Sequence, residues 1–158
     1  MQYTTLIDTR SLHENLEADD LVVLDCRFDL MRPDAGKREW EASHIPGSRY
    51  VHLDQDLSAP VVSTVGRHPL PGPDTFARTL ESWGIGNESQ VVAYDASCGA
   101  YAVRLWWMMR WLGHHRVAVL DGEDVVYIAQ GDAETDGYQI DADGIALTTE
   151  DYDLVLDD

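Results

Sequence analysis

The stretch QVVAYDASCGAYAVRLWWMMRWL, Gln90–Leu112, constrains this chain more than any other. Gln90–Tyr94 is a β-branched run closed by an aromatic, a composition suited to a strand buried in a parallel sheet. Asp95–Gly99 gathers Asp, Ser, Cys and Gly into five residues, which is turn chemistry. From Ala100 neither Gly nor Pro occurs before Gly113, and Ala, Leu, Met and Arg favour one helix over Ala100–Leu112. A strand feeding a loop that opens a helix is where α/β proteins hold anions. The first-turn N–H groups have no partners there, and the helix dipole points its positive end outward. Chemistry is expected at this loop.

The flanking sequence supplies more of the same alternation. Strands are expected at Thr4–Ile7, Leu21–Asp25, Ser48–Val51 (an edge strand) and Arg116–Leu120. Helices are expected over Thr9–Leu16, with Asp8 as N-cap, and over Lys37–Ser43, Thr75–Trp83 and Asp124–Gln130. Pro33 and Gly36 read as breakers in an irregular segment, Arg27–Gly36. Asp54–Pro73 is a long connection holding four of the six prolines, and such length marks a functional loop or a surface wrap. Strands alternating with helices through short links predict an α/β fold, a parallel sheet covered on both faces. Beyond Gly131 the chain is acidic and poorly patterned, with one strand-like piece at Tyr152–Leu156. The division expected is one domain over residues 1–136 and an acidic linker or tail over 137–158.

Charge excludes some partners. The formal net charge is −18, and Asp121–Asp158 holds thirteen acidic residues with no Lys or Arg. Such a field repels nucleic acid and anionic membranes. No apolar run reaches membrane-spanning length, and MQYTTLIDTR lacks the apolar core of a signal peptide, so the cytoplasm is expected. The two cysteines, Cys26 and Cys98, are read as free thiols. No His, Cys, Asp and Glu set has metal-ligand spacing, and no cofactor is implied.

Several segments then fall into one pattern. LVVLDCRF (Leu21–Phe28), EASHIPGSRYVHLD (Glu41–Asp54), GRHPLP (Gly66–Pro71) and VVAYD…RLWWMMRWLGHHRVAVLDG (Val91–Gly122) resemble a rhodanese-homology domain. More narrowly they resemble the N-terminal half of the tandem thiosulfate/3-mercaptopyruvate sulfurtransferases, over roughly Leu6 to Thr135. The resemblance implies a rhodanese-like, five-stranded parallel sheet with helices on both faces. In active relatives a cysteine at the strand end begins an amide-lined loop, takes sulfane sulfur from a small anionic donor as a persulfide, and passes it to a thiophilic acceptor. The N-terminal halves of the tandem proteins lack that cysteine, and a catalytic half follows in the same chain.

Here Asp95 stands at the nucleophile position. A carboxylate carries no sulfane sulfur, but it accepts the N–H bonds an anion would receive, and Ala96, Ser97, Gly99 and Ala100 are the expected anion-loop residues. The first reading is therefore a catalytically silent module that supports a second rhodanese domain or a catalytic partner chain. The alternative is an active sulfurtransferase with a persulfide on Cys98, three residues further into the loop. A weaker alternative is the phosphatase signature Cys-x5-Arg, spelled by Cys98–Arg104. The resemblance gives Asp25, Arg27 and His44 structural roles; His68 is read as loop packing, with the pocket rim as its alternative. On the helix, Tyr101, Leu105, Met108, Met109 and Leu112 form the inner face. Trp107 and Trp111 fall with Arg104 and Arg110 on the other side. The expectation is that a helix or the Pro-rich connection covers them; the alternative is an interface built on Trp107, Arg110 and Trp111.

Overall fold

Near-continuous apolar strands need cover on both faces, and this requirement arranges the fold. The computed structural model describes residues 2–62 and 66–121, together with the backbone of 139–141 and 144–146. In chain order the elements are β1 (Leu6–Asp8), α1 (Thr9–Glu14), β2 (Leu21–Asp25), α2 (Ala35–Ala42), β3 (Arg49–Tyr50), α3 (Pro73–Ser82), β4 (Gln90–Tyr94), α4 (Ala102–Trp111) and β5 (Val117–Asp121). Two further strands, β6 (Gln139–Asp141) and β7 (Gly144–Ala146), follow.

The five strands β1 to β5 form one parallel sheet in the order β1-β5-β4-β2-β3. The rhodanese-like α/β architecture expected from the sequence is the one observed. β4 is buried along its whole length and lies between β2 and β5, with Leu21 opposite Gln90 and Asp25 opposite Tyr94. On one face Leu24, Val91, Ala93, Val117 and Val119 pack against Phe76 and Leu80 of α3 and against Leu105, Met108 and Met109 of α4. On the other, Val23, Val92, Tyr94, Ala118 and Leu120 pack with Ile7, Leu12 and Ile45. Alternating side chains from the same strands supply both cores. Of the inner face read from the helical period, Leu105, Met108 and Met109 are buried together with Ala102, while Tyr101 and Leu112, just beyond the ends of α4, are partly buried against the same core.

Element ends shifted where local physics overrode composition. α3 begins at Pro73 rather than Thr75, because proline suits the first helical turn, where its missing N–H has no intrahelical role. α2 begins at Ala35, so Gly36 lies inside a helix rather than breaking one. A Cβ at Gly36 would lie 2.0 Å from the Arg27 carbonyl oxygen, so only glycine lets these two backbones meet. Asp8 caps α1 as expected, accepting a 2.8 Å hydrogen bond from the Ser11 N–H.

β6 and β7 pair antiparallel within the stretch read as linker or tail. The helix expected over Asp124–Gln130 and the strand-like piece Tyr152–Leu156 lie outside the described residues. Among the described residues no helix is long and apolar enough to cross a membrane.

Candidate functional site

At the carboxyl end of β4 the chain turns sharply before α4. Cys98 (φ 52°) and Gly99 (φ 80°) adopt successive left-handed conformations, which curl the loop back over the strand end. The backbone amides converge on Asp95. Its Oδ1 accepts from the N–H groups of Ser97 (2.7 Å) and Gly99 (2.9 Å), and its Oδ2 from those of Tyr101 and Ala102, both at 2.8 Å. The carboxylate is only 5% exposed, so these charge-assisted bonds replace its water. The donors differ in part from those expected. Ser97 and Gly99 contribute, whereas Ala96 and Ala100 do not, the Ala100 N–H going to the Ser97 carbonyl instead. α4 consequently starts at Ala102, with its first amides taken by Asp95.

Cys98 is exposed and Cys26 buried, and both are free thiols. The Cys98 N–H is not among the donors to Asp95. Burial, reinforced by the Asp25 and Asp95 carboxylates, pushes the Cys26 thiol well above its ordinary value, so it stays protonated. Cys98 and Arg104 do not form a shared anion site. The Arg104 guanidinium donates instead to the carbonyls of Leu57 (2.8 Å) and His68 (2.9 Å), with Ser58 Oγ at 3.4 Å. Partial burial lowers its pKa from the ordinary arginine value.

Behind the loop, Asp25 and Arg27 form a buried ion pair at 2.6 Å. Arg27 also donates to the Ser43 carbonyl at 2.7 Å, tying the β2 end to the end of α2. The Tyr94 hydroxyl donates to Asp25 Oδ2 at 2.6 Å and accepts from the Ile45 N–H. Burial and the Asp25 carboxylate hold its phenol far above the ordinary tyrosine value. His44 stacks on Trp40, its Nδ1 2.6 Å from the Trp40 carbonyl. These residues brace the strand ends on which the loop stands.

Sequence reasoning did not single out the arrangement beside the loop. A cavity of about 370 Å³ opens there, lined by Phe28, Leu30, Pro33, Asp54, Val61 and His68, among others. His68 Nδ1 approaches Asp54 Oδ1 at 2.7 Å. That is ion-pair distance without a hydrogen-bond angle, and both ring nitrogens are shut off from solvent with no hydrogen bond. The Phe28 ring meets His68 edge-on at 6.3 Å and Tyr101 at 5.7 Å, which joins the cavity to the Asp95 loop. His68 is also left-handed, at φ 51°. The pocket-rim alternative for His68 is the one its place in the cavity wall matches, but thirteen residues lie between His68 and Asp54, and no local pattern pairs them.

Among the described residues, neither a helix nor the Pro-rich connection covers the outer face of α4. Trp107 and Trp111 are 45% and 42% exposed and stack on each other at 6.0 Å. With Val103 they form an apolar stripe at i, i+4 spacing. Arg104 leaves this face for the connection, and Arg110 lies over Trp106 and donates to the Thr4 carbonyl. Successive turns of one helix place the tryptophans side by side, and no described element crosses them.

Comparisons with known proteins agree on one family. The model of the rhodanese-like domain matches residues 8–123. A Pseudomonas aeruginosa protein named "Probable 3-mercaptopyruvate sulfurtransferase" is 45% identical over 139 residues, which span 87% of this chain and 49% of that protein. Thiosulfate sulfurtransferase from Cricetulus griseus is 32% identical over 128 residues, covering 76% of this chain and 41% of that protein. Among solved structures, 3-mercaptopyruvate sulfurtransferase from Leishmania major superposes with a TM-score of 0.68 at 30% identity, over 75% of this chain and 32% of the other. The chain thus spans about half, or less, of the length of the curated relatives it matches.

Proposed function

The chain belongs to the rhodanese-like domain family, with homology to the 3-mercaptopyruvate and thiosulfate sulfurtransferases, and on that premise we propose that it serves sulfur transfer without carrying the sulfur itself. One observation carries the reading. The seat at the end of β4 is filled by the Asp95 carboxylate, which takes four amide donors. An anionic donor entering the loop would meet a fixed negative charge and no free N–H among those four. Cys98 is exposed while the amides turn to Asp95, and a nucleophile without its anion-stabilising groups loses most of its advantage.

What the chain offers a partner lies beside the loop. His68 and Asp54 stand in the wall of a cavity that apolar side chains share with Ser58 and Arg67. The partner is a second rhodanese domain or a separate catalytic chain, and the exposed Val103–Trp107–Trp111 stripe is its candidate contact. The free thiols accord with a reducing, cytoplasmic setting.

The test is mass spectrometry of the purified chain after exposure to thiosulfate or 3-mercaptopyruvate, with cyanide-dependent thiocyanate release followed in parallel. Neither a gain of one sulfur on Cys98 nor turnover is expected. Turnover that vanishes in Cys98→Ser and persists in Cys26→Ser would overturn the reading in favour of an active sulfurtransferase.

A further inference from the structure

The chain from Asp54 to Gly72 contains no helix or strand among its described residues, yet it delivers His68 to a defined place. Beside the His68–Asp54 contact, hydrogen bonds draw its two arms together. The Ala59 N–H donates to the Pro69 carbonyl at 2.9 Å. A further tie is Arg104, whose guanidinium binds the Leu57 carbonyl on the outgoing arm and the His68 carbonyl on the returning one. These contacts reach across 47 and 36 residues of sequence, and they start from the first turn of α4, directly after the Asp95 loop. His68 is held with φ at 51°, a conformation that costs a residue with a Cβ about 1–2 kcal/mol and persists only where its surroundings impose it. The carbonyl that Arg104 grips belongs to that strained residue.

We propose that Arg104 is the positioning residue for His68, closing the connection and fixing the backbone twist that turns the imidazole toward Asp54 and the cavity. The planar, multiply donating guanidinium suits two carbonyls at once. This role rests on the reading that the His68–Asp54 pair is what the chain lends to sulfur transfer. It adds that the pair is set by a residue that binds the His68 main-chain carbonyl.

The experiment uses the full chain labelled with ¹⁵N. The His68 ring nitrogens and the Ala59 amide are followed in wild type, Arg104→Met and Arg104→Lys. In Arg104→Met the His68 ring resonances should move to those of a solvent-exposed imidazole. The Ala59 amide should exchange about tenfold faster or more, as when a local opening replaces a closed loop, while Val92 in the sheet keeps its protection. Arg104→Lys, with one cationic head, should restore only part of the ring signature. Should Arg104→Met fail to fold, a second cycle decides. In a His68→Gly background the left-handed backbone carries no strain, and Arg104→Lys should lower Tm less there than in wild type. An unchanged His68 ring in folded Arg104→Met, or equal Tm losses in both backgrounds, would overturn the assignment. Neither result involves sulfur chemistry, so the assignment and the function proposed above fail separately.

Discussion

Replacing Asp95 with alanine empties the seat at the end of β4 and strands its four amide donors. Hydrogen bonds to a charged group contribute about 1.5–3 kcal/mol each, so a simple sum would reach about 6–12 kcal/mol. That sum is too large. Ser97 is exposed and Gly99 half-exposed, so water can replace the carboxylate at their amides, whereas Ala102 is buried and Tyr101 half-buried. Counting the latter two leaves a loss of about 3–6 kcal/mol, a large share of the roughly 5–15 kcal/mol that holds a domain together. The emptied loop is also an anion seat. Thiosulfate or sulfate should therefore restabilise Asp95→Ala, by about 2.7 kcal/mol at a hundredfold excess over the dissociation constant, and do far less for wild type. Urea unfolding followed by tryptophan fluorescence measures both effects, with wild type in the same salts controlling for the general action of sulfate on burial. A loss below about 1 kcal/mol, or equal gains for both proteins from thiosulfate, would refute the claim that Asp95 occupies an anion seat.

Two further outcomes follow from the bracing residues. Arg27→Met leaves Asp25 buried without its cation and should lower stability by about 3–5 kcal/mol, with urea unfolding as the check and an effect under 1 kcal/mol as the contrary result. Burial, assisted by the Asp25 carboxylate, pushes the Tyr50 phenol from 10.0 up to about 12, so the unfolded chain gives up this proton first. Its stabilisation is complete below pH 10 and fades as pH rises towards 12, so the alkaline fall in Tm should be shallower in Tyr50→Phe and identical only if the shift is absent.

Much of the arrangement was readable before any coordinates. β2 and β4 announced themselves as unbroken apolar runs, and their limits are those observed. The Asp8 cap was legible because a capping side chain reaches only three residues along the chain. Gly36 was misread because the reason for its glycine, the Arg27 carbonyl, approaches from another segment. The tryptophans of α4 were placed on the correct face, but whether anything covers them depends on neighbours that helical periodicity does not describe.

By itself the sequence determined the alternation of strands and helices, the family, and the acid that directly follows β4. These depend on composition and spacing over a few residues, the range over which propensity, capping and turn chemistry act. Only the tertiary structure decided that two alternate amides and the next two at the helix start turn inward on that acid, that His68 meets Asp54, and that Arg104 binds both arms of a long connection. Each of these joins groups through a curled backbone or across distant segments. The free energy of such a contact depends on where the rest of the fold carries its partners, a matter on which neighbouring residues are silent.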